Sequence, residues 1–440
     1  MKKFFLVLLF TIFFSIGGYA DKIKYVFLFI GDGMSMSSEF ALSKFLYGKD
    51  KLLFWNKFPV KTYMETWSMD SYEGEYDKNN FDSEKGYNTK VAGTVPYPYY
   101  ETEESEQYFR DSIPTDSAAA ATAFSTGQKI HNNGICYDSD KDEFISNITD
   151  KLNETKEYNV ALITTDKFYS ATPAGFSSHN DSRDNGEEIA AEILSKTKPE
   201  IVAGKNEFCE MVTFASLNDY YVLDSFEINR PQVFDLINKK IFLELKDYHV
   251  PKPKDGFSVE SFEYRNKTNR FSNIVLFSTK LLLQKKKPFF ALIEVADIDK
   301  GNHKNNYIRM LGGMYELNET VKSIYDLINS KSTDMTFDNT LIIVTADHST
   351  GMLRFRRNLD KGELPITYIR KEDNVKKKRK IIIKTNDKIK YQSKNHTNEL
   401  VGCYSVGAGS DLFKKYINEK NIIDNTDIYK ILKEILTSNN

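Results

Sequence analysis

Short apolar runs recur along the chain, and each stops at polar or small residues. Lys24 to Ile30 runs straight into Gly31-Asp32-Gly33-Met34. Asn159 to Ile163 leads into Thr164-Thr165-Asp166, and Glu200 to Val202 into Ala203-Gly204. Phe289 to Val295 ends at Ala296-Asp297, and Thr340 to Val344 ends at Thr345-Ala346-Asp347-His348. Continuous rather than alternating hydrophobicity marks strands buried on both faces, as in a parallel sheet covered by helices. Helical patterning lies between or after these runs, at Ser117–Ser125, Gly186–Lys196, Arg309–Ser330 and Asp427–Thr437. The predicted fold class is α/β, with a mostly parallel central sheet and helices on both faces.

Two stretches break the pattern. Residues 70–111 hold eleven acidic and four basic residues with seven tyrosines and little periodicity, so they read as a surface excursion. Residues 371–380 (KEDNVKKKRK) are a charged run before the strand-like Ile381-Ile382-Ile383, and read as a solvated loop or hairpin. No internal repeat and no Pro/Gly/Ser linker divides the chain.

The first twenty residues follow a different logic. Met1-Lys2-Lys3 is positive, Phe4 to Ile16 is almost unbroken apolar sequence, and Gly18-Tyr19-Ala20 offers small residues for an export peptidase. The run is shorter than the roughly 20 apolar residues of a membrane span. Residues 1–20 are therefore expected to be a signal peptide. The protein is expected to be exported, periplasmic or secreted, with no stable membrane insertion once the signal is removed.

Composition narrows the partners. Sixty basic and sixty-two acidic residues give a formal charge of -2, so no basic field recruits nucleic acid as a specific partner. Cys136, Cys209 and Cys403 form no CxxC pair, which argues against a thiolate zinc site and leaves any disulfide pairing open. N-x-S/T triplets such as Asn147-Ile148-Thr149 are expected by chance in so asparagine-rich a chain.

The candidate chemistry sits just after the strands, where open α/β sheets hold their ligands. Asp32 follows the first strand, Glu294 and Asp299 close the strand near 290, and Asp347-His348 closes the strand near 342. Asp299 and His303 are spaced i, i+4, which places both on one face of a helical turn. Aspartate with histidine suits zinc, whereas Asp32, Glu294 and a hydroxyl suit magnesium. Three of the six histidines (His303, His348 and His396) fall in such contexts; His131, His179 and His249 read as structural or surface groups. In Thr115-Asp116-Ser117 followed by four alanines, a helix starts at or beside the serine. The positive end of the helix dipole there attracts anions. A serine hydroxyl is a weak nucleophile until a base or a metal activates it, and no Gly-x-Ser-x-Gly elbow is present. Ser170-Ala171-Thr172-Pro173-Ala174-Gly175 adds a hydroxyl at Thr172, and Arg183 adds a bidentate fork for phosphate.

Taken together, GDGM, TDSAAAATA, SATPAG with a downstream arginine, the Glu294/Asp299/His303 element, Ala346-Asp347-His348 and His396-Thr397 occur in the order seen in alkaline phosphatases. The chain resembles that family from Asp32 to His396. The resemblance implies two zinc ions and one magnesium ion per chain. Asp299, His303 and His396 match the ligands of the first zinc. Asp347 and His348 match those of the second, with Asp32 bridging to magnesium, which Thr172 and Glu294 complete. Ser117 matches the nucleophile and Arg183 the phosphate clamp. Lys300 matches a phosphate-side lysine of some bacterial members. Because ligands from 32 to 396 must meet, residues 21–440 are expected to be one catalytic domain with insertions near 70–111, 205–285 and 355–392. The implied activity is hydrolysis of small-molecule phosphate monoesters through a phosphoserine. Relatives are commonly dimers, so a homodimer is an open assembly. Ser170 stands where many relatives carry aspartate or histidine, which leaves Lys300 without that carboxylate partner and bears on the third metal site. Two alternatives remain: a phosphodiesterase of the same superfamily, and a non-catalytic phosphate- or metal-binding relative. A sulfatase is excluded, since no cysteine stands in a Cys-x-Pro-x-Arg setting.

Overall fold

The computed structural model describes residues 23–99, 102–228, 236–254, 262–265, 270–373 and 378–437; the segment read as a signal peptide lies outside them. Ten strands form the main sheet: β1 (Tyr25–Gly31), β2 (Val60–Glu65), β3 (Asn159–Lys167), β4 (Ile201–Lys205), β5 (Tyr220–Asp224), β6 (Lys240–Glu244), β7 (Phe289–Val295), β8 (Thr340–Thr345), β9 (Val401–Gly407) and β10 (Ile422–Asp424). Their order across the sheet is β10-β2-β9-β8-β1-β7-β3-β4-β6-β5. Every pairing is parallel except those of β9, which runs against β8 and β2.

The apolar runs dictate the centre. All seven residues of β1 and all seven of β7 are buried, and the two pair in register from Tyr25–Phe289 to Gly31–Val295. Such strands lie between two helical layers, because neither face tolerates water. One layer joins the helices Met36–Tyr47, Phe271–Gln284 and Tyr307–Asn329, and the other joins Ile148–Thr155, Ser117–Thr126, Ala171–Ser177 and Thr426–Thr437. The helix expected at 186–196 is split into an α segment, Gly186–Glu192, and a wider π turn, Ile193–Thr197.

The expected insertions differ in kind. Within 205–285, residues 220–224 and 240–244 extend the sheet and Phe271–Gln284 packs in the core, so much of this stretch is framework rather than excursion. The described ends of the charged run, 371–373 and 378–380, lie on two strands that pair antiparallel, Ile366–Asp373 and Lys378–Thr385. Residues 70–111 build a small second core around Trp67, in which Tyr87, Ala92 and Phe109 meet Met352 and Leu400. No helix among the described residues is long and apolar enough to cross a membrane. Asn147, in one of the N-x-T triplets, is fully buried and caps the helix Ile148–Thr155 through the amides of Thr149 and Asp150.

Candidate active site

The ends of β1, β7 and β8 are neighbours, so the polar residues that terminate them converge. Gly33 follows β1 with φ +66, and a Cβ there would lie 2.7 Å from Asp299 Oδ1. Only glycine permits so close an approach. Its N–H donates to Asp347 Oδ1 at 3.0 Å, tying the first strand end to the last.

Two groups of side chains could each hold a cation: Asp299 with His348 and His396, and Asp32 with Asp347 and His348. Asp299 and His303 meet as their spacing predicts, with His303 Nε2 3.2 Å from Asp299 Oδ2. His303 Nε2 and His396 Nε2 are 3.1 Å apart, so Asp299, His303 and His396 are neighbours, although the cation-binding group around Asp299 and His396 contains His348 rather than His303. The outer nitrogens are fixed by backbone carbonyls: His303 Nδ1 by Lys394 at 2.5 Å and His396 Nδ1 by Thr115 at 2.9 Å. Such partners aim the inner nitrogen at a common point. His348 Nε2 lies 3.2 Å from Asp347 Oδ2 and 3.7 Å from Asp32 Oδ1. Thr350, a residue that sequence reasoning passed over, donates to Asp299 Oδ1 at 2.7 Å.

The electrostatics suit a site for positive charge. Burial, with the charges of Asp347, Asp299 and Glu294, raises Asp32 well above the carboxylate range. Burial pushes Asp347 up to about 7 against the hydrogen bond from Gly33. Glu294 also rises to about 7 through burial, despite the hydroxyl of Thr164, which donates to its Oε2 at 2.5 Å. Asp299 is the exception. Burial acts to raise it, yet the hydrogen bond of His303 and the charges of His348 and His396 hold it low. His348 is itself lowered far below 6.5 by burial and by His396. Asp32 Oδ1, Asp347 Oδ2 and Thr172 Oγ1 are buried and make no hydrogen bond of good geometry, with His348, Ser117 and Glu294 close by. Buried polar atoms are normally satisfied, and a set of orphaned oxygens beside unneutralised carboxylates is what a hard or borderline divalent cation would complete.

Ser117 begins the helix Ser117–Thr126, as the alanine run predicts, with Asp116 at the cap accepting from the Ala119 amide. Ser117 Oγ lies 3.1 Å from His348 Nε2. The other Asp116 oxygen takes a hydrogen bond from Arg183 Nη1 at 2.9 Å, so one carboxylate starts the serine helix and orients the arginine. The helix Ala171–Ser177 carries Thr172 on its first turn, where Pro173 is tolerated. It packs closely because a Cβ at Gly175 would meet Ala121 Cβ at 2.6 Å.

Lys300 differs from expectation. It is not left unpaired by Ser170, because Asp166, at the end of β3, forms an ion pair with its ammonium. The signal was present in the sequence, where Asp166 follows a buried strand just as Asp32 and Asp347 do. The remaining histidines lie in other surroundings. His131 sits between Asp70 and Asp140, His179 between Asp150 and Glu192, and His249 beside Asp247.

A mostly parallel α/β sheet with acid, imidazole and hydroxyl groups gathered beyond its strand ends is the framework of a ligand crevice. A family model described as alkaline phosphatase matches residues 76–208 and 263–367, more than half of the chain. The chain belongs to the alkaline phosphatase family. It is 29% identical over 341 residues to Alkaline phosphatase 3 of Bacillus subtilis, covering 76% of this chain and 63% of that protein, less than two thirds of its length. It is 27% identical to Alkaline phosphatase 4 of the same organism, over 72% of this chain and 77% of that one. The structure of alkaline phosphatase from the Antarctic bacterium TAB5 superimposes with a TM-score of 0.61 at 19% identity, covering 96% of this chain and all of the other.

Proposed function

We propose that the protein is an exported phosphatase that hydrolyses small phosphate monoesters through a phosphoserine on Ser117. The observation that carries this reading is Ser117 Oγ, at a helix start, 3.1 Å from a buried imidazole that both cation-binding groups share. Zinc fits Asp299, His303 and His396 as one set, and Asp347 and His348 with Asp32 as another; magnesium fits the all-oxygen set of Asp32, Thr172 and Glu294. When bound, such ions supply the positive charge that favours ionised oxygen in the nucleophile, the leaving group and water.

The chain's own residues do the rest. Arg183, held at one nitrogen by Asp116, presents its remaining N–H groups to the phosphoryl oxygens. The helix start beneath Ser117 adds a positive dipole end to the same oxygens. Ser117 Oγ attacks phosphorus as the ester oxygen departs with a proton as alcohol. Water then attacks the phosphoserine, giving inorganic phosphate and restoring the hydroxyl. Residues 21–440 form one catalytic domain in this reading, and a homodimer is its proposed assembly.

The test is a comparison of p-nitrophenyl phosphate with bis-p-nitrophenyl phosphate, each with and without chelator. Monoester hydrolysis that chelator abolishes and zinc with magnesium restores is expected. Preference for the diester would replace the reading with a phosphodiesterase. Activity toward neither, in protein that binds metal, would make the chain a binding protein.

A further inference from the structure

We infer that the tyrosine-rich excursion, residues 70–111, is a brace for the segments that carry His348 and His396, acting through Glu106, Arg354 and Glu399. The inference rests on the proposed metal-binding reading of those histidines. Glu399 is the hub, and it is 4% exposed. Its Oε2 accepts from Ser349 Oγ at 3.1 Å and from Thr397 Oγ1 at 2.7 Å. These two residues directly follow His348 and His396 and pair with each other in a two-residue antiparallel ladder. One carboxylate therefore fixes the chain just beyond both imidazoles.

The same carboxylate is held from the other side. Its Oε1 accepts from Arg354 Nη1 at 2.8 Å, and Arg354 Nε donates to Glu106 Oε1 at 2.9 Å. Arg354 is as buried as Glu399, and its guanidinium lies 4.3 Å from the ring centre of Tyr97, another residue of the excursion. Glu106 also accepts two hydrogen bonds from Gln392 Nε2, each 3.0 Å long. At the far end of the excursion, Asp70 accepts from the Asn132 amide at 2.9 Å. The Asn132 side chain in turn accepts from the Asp116 amide, and Asp116 orients Arg183. A segment that reads as a surface loop thus touches the ligand framework at both ends.

None of these groups reaches the reacting atoms, so they are positioning residues. Groups hydrogen-bonded directly to metal ligands change affinity by roughly ten- to a hundredfold, and these act at least one link further out, so about tenfold sets the scale. The experiment uses the full zinc-loaded protein and follows zinc release to a chromogenic chelator. It compares wild type with Glu106→Ala, Glu106→Gln, Glu399→Gln and, as a control on the same helix, Glu104→Ala. The melting temperature of each metal-stripped variant is measured alongside.

Glu106→Ala and Glu399→Gln should lose zinc up to about tenfold faster. Glu106→Gln keeps an acceptor for Arg354 and should approach wild type. The stripped Glu106→Ala protein should melt below the Glu104→Ala control, because Arg354 loses a buried acceptor, and stripped Glu106→Gln should melt near wild type. Unchanged zinc release in Glu106→Ala, from a wild type that holds its zinc, overturns the brace alone. A wild type that holds no zinc overturns the metal-binding reading and the brace with it. If Glu399→Gln fails to fold, Glu106→Ala against Glu106→Gln decides.

Discussion

His179 gives the fold a pH dependence that can be worked out from its surroundings. Its Nε2 lies 3.1 Å from Asp150 and its Nδ1 3.1 Å from Glu192, so the ring joins helix Ile148–Thr155 to helix Gly186–Glu192. Its own residue follows the helix that carries Thr172. The side chain is 17% exposed, and Lys196 approaches Glu192 at 3.8 Å. Burial opposes the charged ring, but the hydrogen bonds to Asp150 and Glu192 outweigh it and raise His179 from 6.5 to about 9. Because the folded value is raised, the contribution is fully present below pH 6.5 and is lost as pH rises through 9. At 1.36 kcal/mol per unit, the full effect is about 3 kcal/mol. The assay is urea unfolding of wild type and His179→Gln from pH 6 to 10, with metal content matched so that metal-linked terms cancel. The stability difference should be greatest at pH 6, fall by about 1.4 kcal/mol per unit between 6.5 and 9, and level off above. A difference constant across that range would refute the reasoning. At alkaline pH this junction between the two helices is therefore weakened.

Three further outcomes follow from the site. Ser117→Ala should abolish acid-stable labelling by phosphate and lower turnover by roughly three orders of magnitude or more, whereas undiminished labelling would assign the nucleophile elsewhere. His303→Ala and His396→Ala should each lose about one zinc per chain by elemental analysis, and unchanged zinc in both would remove them from the ligand set. Asp166→Asn frees Lys300 and should tighten inhibition by inorganic phosphate about two- to fivefold, the range of a partly exposed ion pair. Lys300→Ala should weaken that inhibition and Ser170→Asp should leave it unchanged; equal constants in wild type and Asp166→Asn would show that the pair does not govern phosphate binding.

The legible parts of the fold were those with a one-dimensional signature. Strands β1, β3, β4, β7 and β8 are continuous apolar runs, and the serine helix announces itself through four alanines. Strands β2 and β9 were missed for the opposite reason. Val60–Glu65 alternates buried and open positions, and Val401–Gly407 mixes glycine, cysteine and serine with its apolar residues. Their pairing is antiparallel, so neither displays the unbroken hydrophobicity that marks a strand locked between parallel neighbours. Strand β5 lies at one edge of the sheet, where burial is partial and the pattern is correspondingly weak, and β6 beside it shows only the three-residue apolar run Ile241-Phe242-Leu243 between charged residues.

The site divides along the same line. Residues that end strands, or that stand four apart on one turn, carry their geometry in their spacing, and the structure brings Asp299 to His303 as that spacing requires. Glu399 has no such mark. Its meaning comes from Arg354, forty-five positions away, and through it from Glu106, a further 248 positions back along the chain. Asp166 is the intermediate case. Its place after a buried strand was visible, but its pairing with Lys300 depends on which strands are neighbours, and only the β7–β3 register supplies that. This explains why substitution at one position, Ser170, was a poor guide to the charge around Lys300. A lysine at a strand end can take its counter-charge from the adjacent strand as readily as from a helix, and the electrostatic requirement is met whichever element delivers the carboxylate.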